Sequence, residues 1–144
     1  LKFITMKNFL SILLVEDNVI EIMKIRRTIT TLNNNYKLVE VRNGEEALLY
    51  LKAKNTIPDI ILLDLNMPKI GGIEFLSILK KNEKLNHIPT IILTTSNYQN
   101  DLLECYKLGI SGYILKPLKY DDYVAKITSM LTYWSHNELI GDLL

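Results

Sequence analysis

Cysteine occurs once in the 144 residues and histidine twice. A lone Cys105 excludes an internal disulfide and a thiol cluster for zinc, and it reads as an inert, unliganded helix-packing residue. His87 and His136 lack partners at metal-ligand spacing and read as surface residues. Long apolar runs are also missing: the uninterrupted ones are a few residues long, too short to span a bilayer. Residues 1–10 hold two lysines and no continuous apolar stretch, unlike a signal peptide. Seventeen basic against 16 acidic residues leave a net charge of +1, scattered rather than massed, which is not a nucleic-acid binder's footprint. Repeats, low-complexity segments and linkers are absent, and Asn33-Asn34-Asn35 is only long enough for a turn. What survives these exclusions is one cytoplasmic domain with no membrane or nucleic-acid partner.

What the chain does have is an alternation of hydrophobic periods. Ile12-Leu13-Leu14-Val15, Ile60-Ile61-Leu62-Leu63 and Ile91-Ile92-Leu93 are short, nearly continuous and aliphatic, as strands buried on both faces require. Residues 37–41 and 112–115 are weaker strand candidates. Helical spacing fills the intervals. Ile22, Ile25, Ile29 and Leu32 share a face after Asn18; Ala47, Leu48 and Leu51 follow a capping-box-like Asn43-Gly44-Glu45-Glu46. Ile73, Leu76 and Leu79 follow Gly71-Gly72. Leu102, Leu103 and Tyr106 precede a stop at Gly109. Tyr123, Ile127, Met130, Leu131 and Trp134 follow Asp121-Asp122, acids suited to a helix N-terminus. A βα unit repeated five times predicts a doubly wound α/β domain, with helices on both faces of a parallel sheet.

Four of the strand runs end on residues of use to phosphoryl chemistry: Glu16-Asp17, Asp64, Thr94 and Lys116-Pro117. Parallel strands put these on one sheet edge, where open α/β folds place their ligands. Three carboxylates there repel one another, so without a cation at least one pKa rises. Taken singly, each residue has an ordinary explanation as a cap, turn or loop residue; their joint occurrence points to function.

The runs Leu14-Val15-Glu16-Asp17-Asn18, Asp64-Leu65-Asn66-Met67-Pro68 with Gly72, Leu93-Thr94-Thr95-Ser96 and Gly112-Tyr113-Ile114-Leu115-Lys116-Pro117 resemble response-regulator receiver domains, in order and spacing, over residues 11–132. Residues 85–89, Thr94-Thr95-Ser96 and Tyr133-Trp134 with Asn137-Glu138-Leu139 are similar to small single-domain regulators that accompany phytochrome-like histidine kinases. The resemblance implies a CheY-like, flavodoxin-like (βα)5 sandwich with sheet order 2-1-3-4-5. Residues 1–10 are then a lead-in and 133–144 a C-terminal extension. It implies a phosphoacceptor rather than a turnover enzyme. Asp64 is its nucleophile, phosphorylated from a sensor histidine kinase; Thr94 and Lys116 contact the phosphoryl oxygens. Mg²⁺ is bound by Asp17 and Asp64 directly, by Glu16 through water and by the backbone carbonyl of Asn66. Tyr113 stands open between a rotamer switch and a half-buried strand aromatic. Lys116-Pro117 is expected to be cis, since X–Pro bonds alone adopt that form at small cost.

Some positions depart from the commoner family pattern. Glu16 replaces Asp and reaches further, Gly71 replaces a frequent acid and loosens the loop after Asp64, and Thr95 replaces Ala and crowds the phosphate. A haloacid-dehalogenase-type phosphatase needs a second Asp at position 66, which is Asn. A flavin carrier needs a hydroxyl-rich loop after the first strand, where Glu16-Asp17 repels phosphate. Residues 133–144 are too few for a DNA-binding module, so output runs through protein contacts: a downstream target, or a histidine phosphotransfer domain to which the phosphoryl group passes. Tyr133, Trp134, Leu139, Ile140, Leu143 and Leu144 lie beyond the last helix's core stripe. They either extend a homodimer face or fold back on the domain.

Overall fold

The computed structural model describes residues 9–32, 35–53 and 57–139. Five strands alternate with five helices: β1 (Leu10–Val15), α1 (Val19–Thr30), β2 (Tyr36–Val41), α2 (Gly44–Ala53), β3 (Ile60–Leu63), α3 (Gly72–Lys81), β4 (Thr90–Thr94), α4 (Gln99–Leu108), β5 (Gly112–Leu115) and α5 (Tyr120–Ser135). All neighbouring strands pair in parallel, in the order β2-β1-β3-β4-β5. This is the expected flavodoxin-like arrangement.

Side-chain alternation along the central strands sorts the core into two layers. Leu13, Val15, Ile61 and Leu63 meet Phe75, Leu76 and Leu79 of α3, with Ala47 and Leu51 of α2. Ile12, Leu14, Ile60 and Leu62 meet Ile22 and Ile25 of α1, with Tyr123, Ile127 and Leu131 of α5. Burial on both faces explains why these strands are aliphatic throughout rather than alternating. At the sheet's lower end the Asp59 carboxylate accepts from the Ser11 N–H (2.8 Å) and hydroxyl (3.2 Å), a structural use of a buried acid.

Helix starts follow local chemistry. Asn18 Oδ1 accepts from the Ile20 and Glu21 N–H groups at 2.9 and 3.2 Å. Asn43 Oδ1 accepts from Glu46 N–H, and the Glu46 carboxylate in return accepts from the Arg42 N–H rather than from that of Asn43. Gly109 closes α4 at φ 95°, where a Cβ is strained.

Two expectations need correction, and the α4 and tail residues find their places. None of the described peptide bonds is cis, so Lys116-Pro117 is trans, the intrinsically favoured isomer. On α4 the buried side chain is Cys105, whereas Leu102, Leu103 and Tyr106 are exposed. His87 is half-buried rather than a surface residue; its Nε2 is enclosed without a hydrogen bond, and burial with the nearby Lys80 charge lowers its pKa. Of the tail residues, Trp134 and Leu139 pack against the α1/α5 layer, while Tyr133 stays exposed and meets Trp134 edge-on at 5.3 Å. Ile140, Leu143 and Leu144 lie outside the described residues, as do residues 1–8.

Candidate functional site

The upper edge of the sheet is held one residue past each strand. Val15 pairs with Leu63 in register, and the ladder continues through Glu16 N–H to Val41 O, Asp64 N–H to Val15 O and Lys116 N–H to Thr94 O, at 3.0, 3.0 and 2.8 Å. These backbone bonds leave the side chains of Glu16, Asp64 and Lys116 projecting from a rigid edge rather than from loose loops. Glu16, Asp17 and Asp64 each offer a carboxylate oxygen within 4.8 Å of the others. That all-oxygen, all-anionic donor set suits a hard divalent cation.

Burial makes the cluster electrostatically tense. Glu16 is 3% exposed, Asp64 6% and Thr94 fully enclosed. Lys116 Nζ donates to Glu16 Oε1 at 2.6 Å and stands 3.8 Å from Asp64 Oδ1. Loss of solvent raises the Glu16 pKa to about 7; the Lys116 hydrogen bond opposes this and the Asp64 charge adds to it. Asp64 is raised as well, first by burial, with Lys116, Glu16 and the Thr94 hydroxyl pulling the other way. For Lys116 burial pulls down, yet the Glu16 hydrogen bond and the Asp64, Glu16 and Glu21 charges outweigh it and leave the pKa raised. One ammonium thus only partly relieves the acidic cluster.

A pH dependence follows. Between about 4.5 and 7 the metal-free folded state keeps a proton on Glu16 that the unfolded chain has lost. Where the native state binds more protons, stability falls as pH rises. Without metal the domain should lose on the order of 2–3 kcal/mol across that window, and Glu16→Gln should flatten the slope. Urea unfolding in chelator at a series of pH values measures it, and stability rising through the window contradicts it.

The other expected residues sit around this core. The Thr94 hydroxyl oxygen accepts from Ser96 N–H at 3.2 Å, which leaves its own proton to point elsewhere. Thr95 is exposed at the rim. Tyr113 is half-buried, and its hydroxyl donates to Ser96 O at 2.8 Å, tying β5 to the loop after Thr94. Asn66 lies exposed on the loop after β3. That loop is pinned by Gly72 N–H to Leu65 O (3.2 Å) and Gly44 N–H to Ile70 O (3.1 Å). Sequence reasoning missed Glu21, whose Oε2 comes within 3.6 Å of Lys116 Nζ. An acid at the third position of a helix is explained locally by its N-terminus, which conceals the tertiary contact.

Comparison with known proteins agrees with this geometry. Residues 12–128 match the response regulator receiver domain model. The chain is 37% identical over 127 residues to the probable methanogenesis regulatory protein FilR2 of Methanothrix harundinacea, covering 85% of this chain and 82% of the relative. It is 31% identical to the response regulator Rcp1 of Synechocystis, with 85% and 87% covered. Among solved structures, the phosphorylated cyanobacterial phytochrome response regulator RcpA superposes with a TM-score of 0.86 at 33% identity, covering 91% of this chain and 98% of RcpA. The Mn²⁺-bound form of Rcp1 gives 0.84 at 30% identity, with 90% and 97% covered. With the family match running through all five strands, the chain belongs to the response regulator receiver domains and is homologous to the phytochrome response regulators.

Proposed function

We propose that Asp64 is a phosphoacceptor and that the chain works as a single-domain two-component response regulator. The observation that carries this is the position of Asp64: a buried carboxylate at the end of β3, grouped with Glu16 and Asp17, with the Lys116 ammonium 3.8 Å away. An Asp64 oxygen attacks the phosphorus of a donor phosphohistidine, the P–N bond breaks, and the imidazole departs. Lys116 takes up charge developing on one phosphoryl oxygen and the Thr94 hydroxyl donates to another. Glu16, Asp17, Asp64 and the Asn66 carbonyl are the residues that would hold Mg²⁺, which when bound supplies neutralisation of the clustered negative charge. The protein accepts and loses this group rather than turning over a substrate. Acetyl phosphate with Mg²⁺ should add one phosphoryl group, labile to base and hydroxylamine; a label stable to both sinks the acyl-phosphate assignment.

The donor we propose is a sensor histidine kinase of the phytochrome-associated kind, met by this chain in the cytoplasm, on the strength of the RcpA and Rcp1 similarities. Val19, Ile20 and Met23 at the start of α1, and Leu118 two residues past Lys116, are exposed. They offer such a partner apolar ground beside the acidic cluster. Transfer onward to a histidine phosphotransfer domain is the second reading, through the same exposed apolar ground beside the acidic cluster.

Output in the first reading runs through a homodimer. The exposed Leu102, Leu103 and Tyr106 of α4, Leu115 of β5 and Tyr133 of α5 are large apolar groups on three consecutive elements. An open groove of about 730 Å³ runs between β5 and α5. The face should pair two copies, more tightly once Asp64 is phosphorylated. Light scattering across a concentration series should show mass doubling with beryllofluoride, and Tyr106→Glu should suppress it. A chain monomeric throughout in both states removes the dimer.

A further inference from the structure

Lys116 has a third carboxylate near it that the phosphorylation chemistry does not require. Glu21 Oε2 stands 3.6 Å from the ammonium, against 2.6 Å for Glu16 and 3.8 Å for Asp64. That Glu21 oxygen is enclosed and has no hydrogen bond, a costly state for a carboxylate unless a cation faces it. The other oxygen, Oε1, accepts from Lys24 Nζ at 3.2 Å, and the Lys24 ammonium lies 4.5 Å from the ring centre of the fully buried Tyr123. The Glu21 N–H is held by the Asn18 cap. Glu21 is thereby held at its backbone by Asn18 and at one carboxylate oxygen by Lys24, with its remaining oxygen turned to Lys116.

We propose that Glu21 is a positioning residue: it tethers the Lys116 ammonium on the α1 side of the site and competes for it with a phosphoryl group on Asp64. This rests on the reading of Asp64 as phosphoacceptor. Glu16 belongs to the acidic cluster and changes its own surroundings when that cluster is neutralised. Glu21 is outside the cluster, so its pull on Lys116 persists through the cycle. At 3.6 Å the contact is an ion pair rather than a hydrogen bond, but charges so enclosed interact far more strongly than in water. A phosphoryl group must draw the ammonium against that pull. Glu21 therefore sets how firmly the phosphorylated state is held, acting through Lys116 and touching no reacting atom.

Beryllofluoride, titrated at saturating Mg²⁺ and followed by amide NMR shifts, provides the test. Glu21→Gln should bind it at least about threefold more tightly than the parent chain, near the low end of couplings between contacting groups, with an unchanged circular dichroism spectrum. In a Lys116→Ala background the gain should vanish. A gain that survives there is a general charge effect and overturns the tether, as does equal or weaker binding by Glu21→Gln. The Lys116 side-chain resonance of the metal-free protein is an independent measure. It should shift on Glu21→Gln, and an unchanged resonance overturns the tether without recourse to the double variant. A parent chain that fails to bind beryllofluoride, or binds it no better than Asp64→Asn does, strikes the Asp64 assignment instead.

Discussion

Asp64→Asn should take no label from acetyl phosphate, and Asp17→Ala should take it at least about a hundredfold more slowly than the parent chain, as loss of several kcal/mol of metal-borne charge neutralisation entails. The two variants should fail for different reasons. Asn at 64 is close in shape to Asp but has no anionic oxygen to attack phosphorus. Ala at 17 leaves the nucleophile in place and removes one of the three carboxylates whose oxygens lie within 4.8 Å of one another. A chelator should bring the parent chain to the level of Asp17→Ala and have little further effect on that variant.

The same substitution separates function from structure. Like charges at this spacing repel by on the order of 1 kcal/mol or more when partly shielded from water. Asp17→Ala should therefore leave the metal-free fold as stable as the parent, or more so. Labelling by mass spectrometry and urea unfolding on the same samples give both answers. If Asp17→Ala unfolds, the cluster is structural; if it labels at the parental rate, Asp17 is no metal ligand.

The legible part of this molecule was the part in which one residue type has few uses. A central parallel strand must be aliphatic on both faces, so Ile60-Ile61-Leu62-Leu63 could be placed with its end at Asp64. The register of β1 on β3 then brings Glu16 level with Asp64. Less legible were positions where a local explanation sufficed. Glu21 reads as an ordinary helix N-terminal acid, yet its contact is to Lys116 across the domain. On α4 helical spacing alone does not say which face packs: Leu102, Leu103 and Tyr106 satisfy it and are exposed, while the packing residue is Cys105, as read from the sequence. Trp134 and Leu139 could equally have faced a second copy; only tertiary placement shows them against their own core. Lys116-Pro117 went wrong because an X–Pro bond permits two isomers at small cost and local sequence does not choose between them.

Gly72→Ala should destabilise the domain by about 3 kcal/mol or more, as overpacking against backbone does. Helix propensity argues for the opposite sign, since Gly72 opens α3 and Ala is the better helix former by up to about 1 kcal/mol. Contact decides it. A Cβ on Gly72 would lie 2.4 Å from the Asp64 carbonyl oxygen and 2.6 Å from Leu65 Cα. Both are main-chain atoms at the end of β3, so no side-chain rotation relieves the collision. Either α3 backs away from the sheet, uncovering Phe75, Leu76 and Leu79, or the backbone carrying Asp64 moves. Both routes join stability to chemistry: molecules of the variant that remain folded should also label slowly. Gly71→Ala is the internal control. Its Cβ would meet nothing nearer than 3.8 Å, and its φ of −71° suits any residue. That variant should unfold within about 0.5 kcal/mol of the parent, as unstrained substitutions outside the core do. Equal stabilities for the two variants, by urea unfolding under one set of conditions, would show that the close approach of α3 to the Asp64 backbone does not constrain the fold.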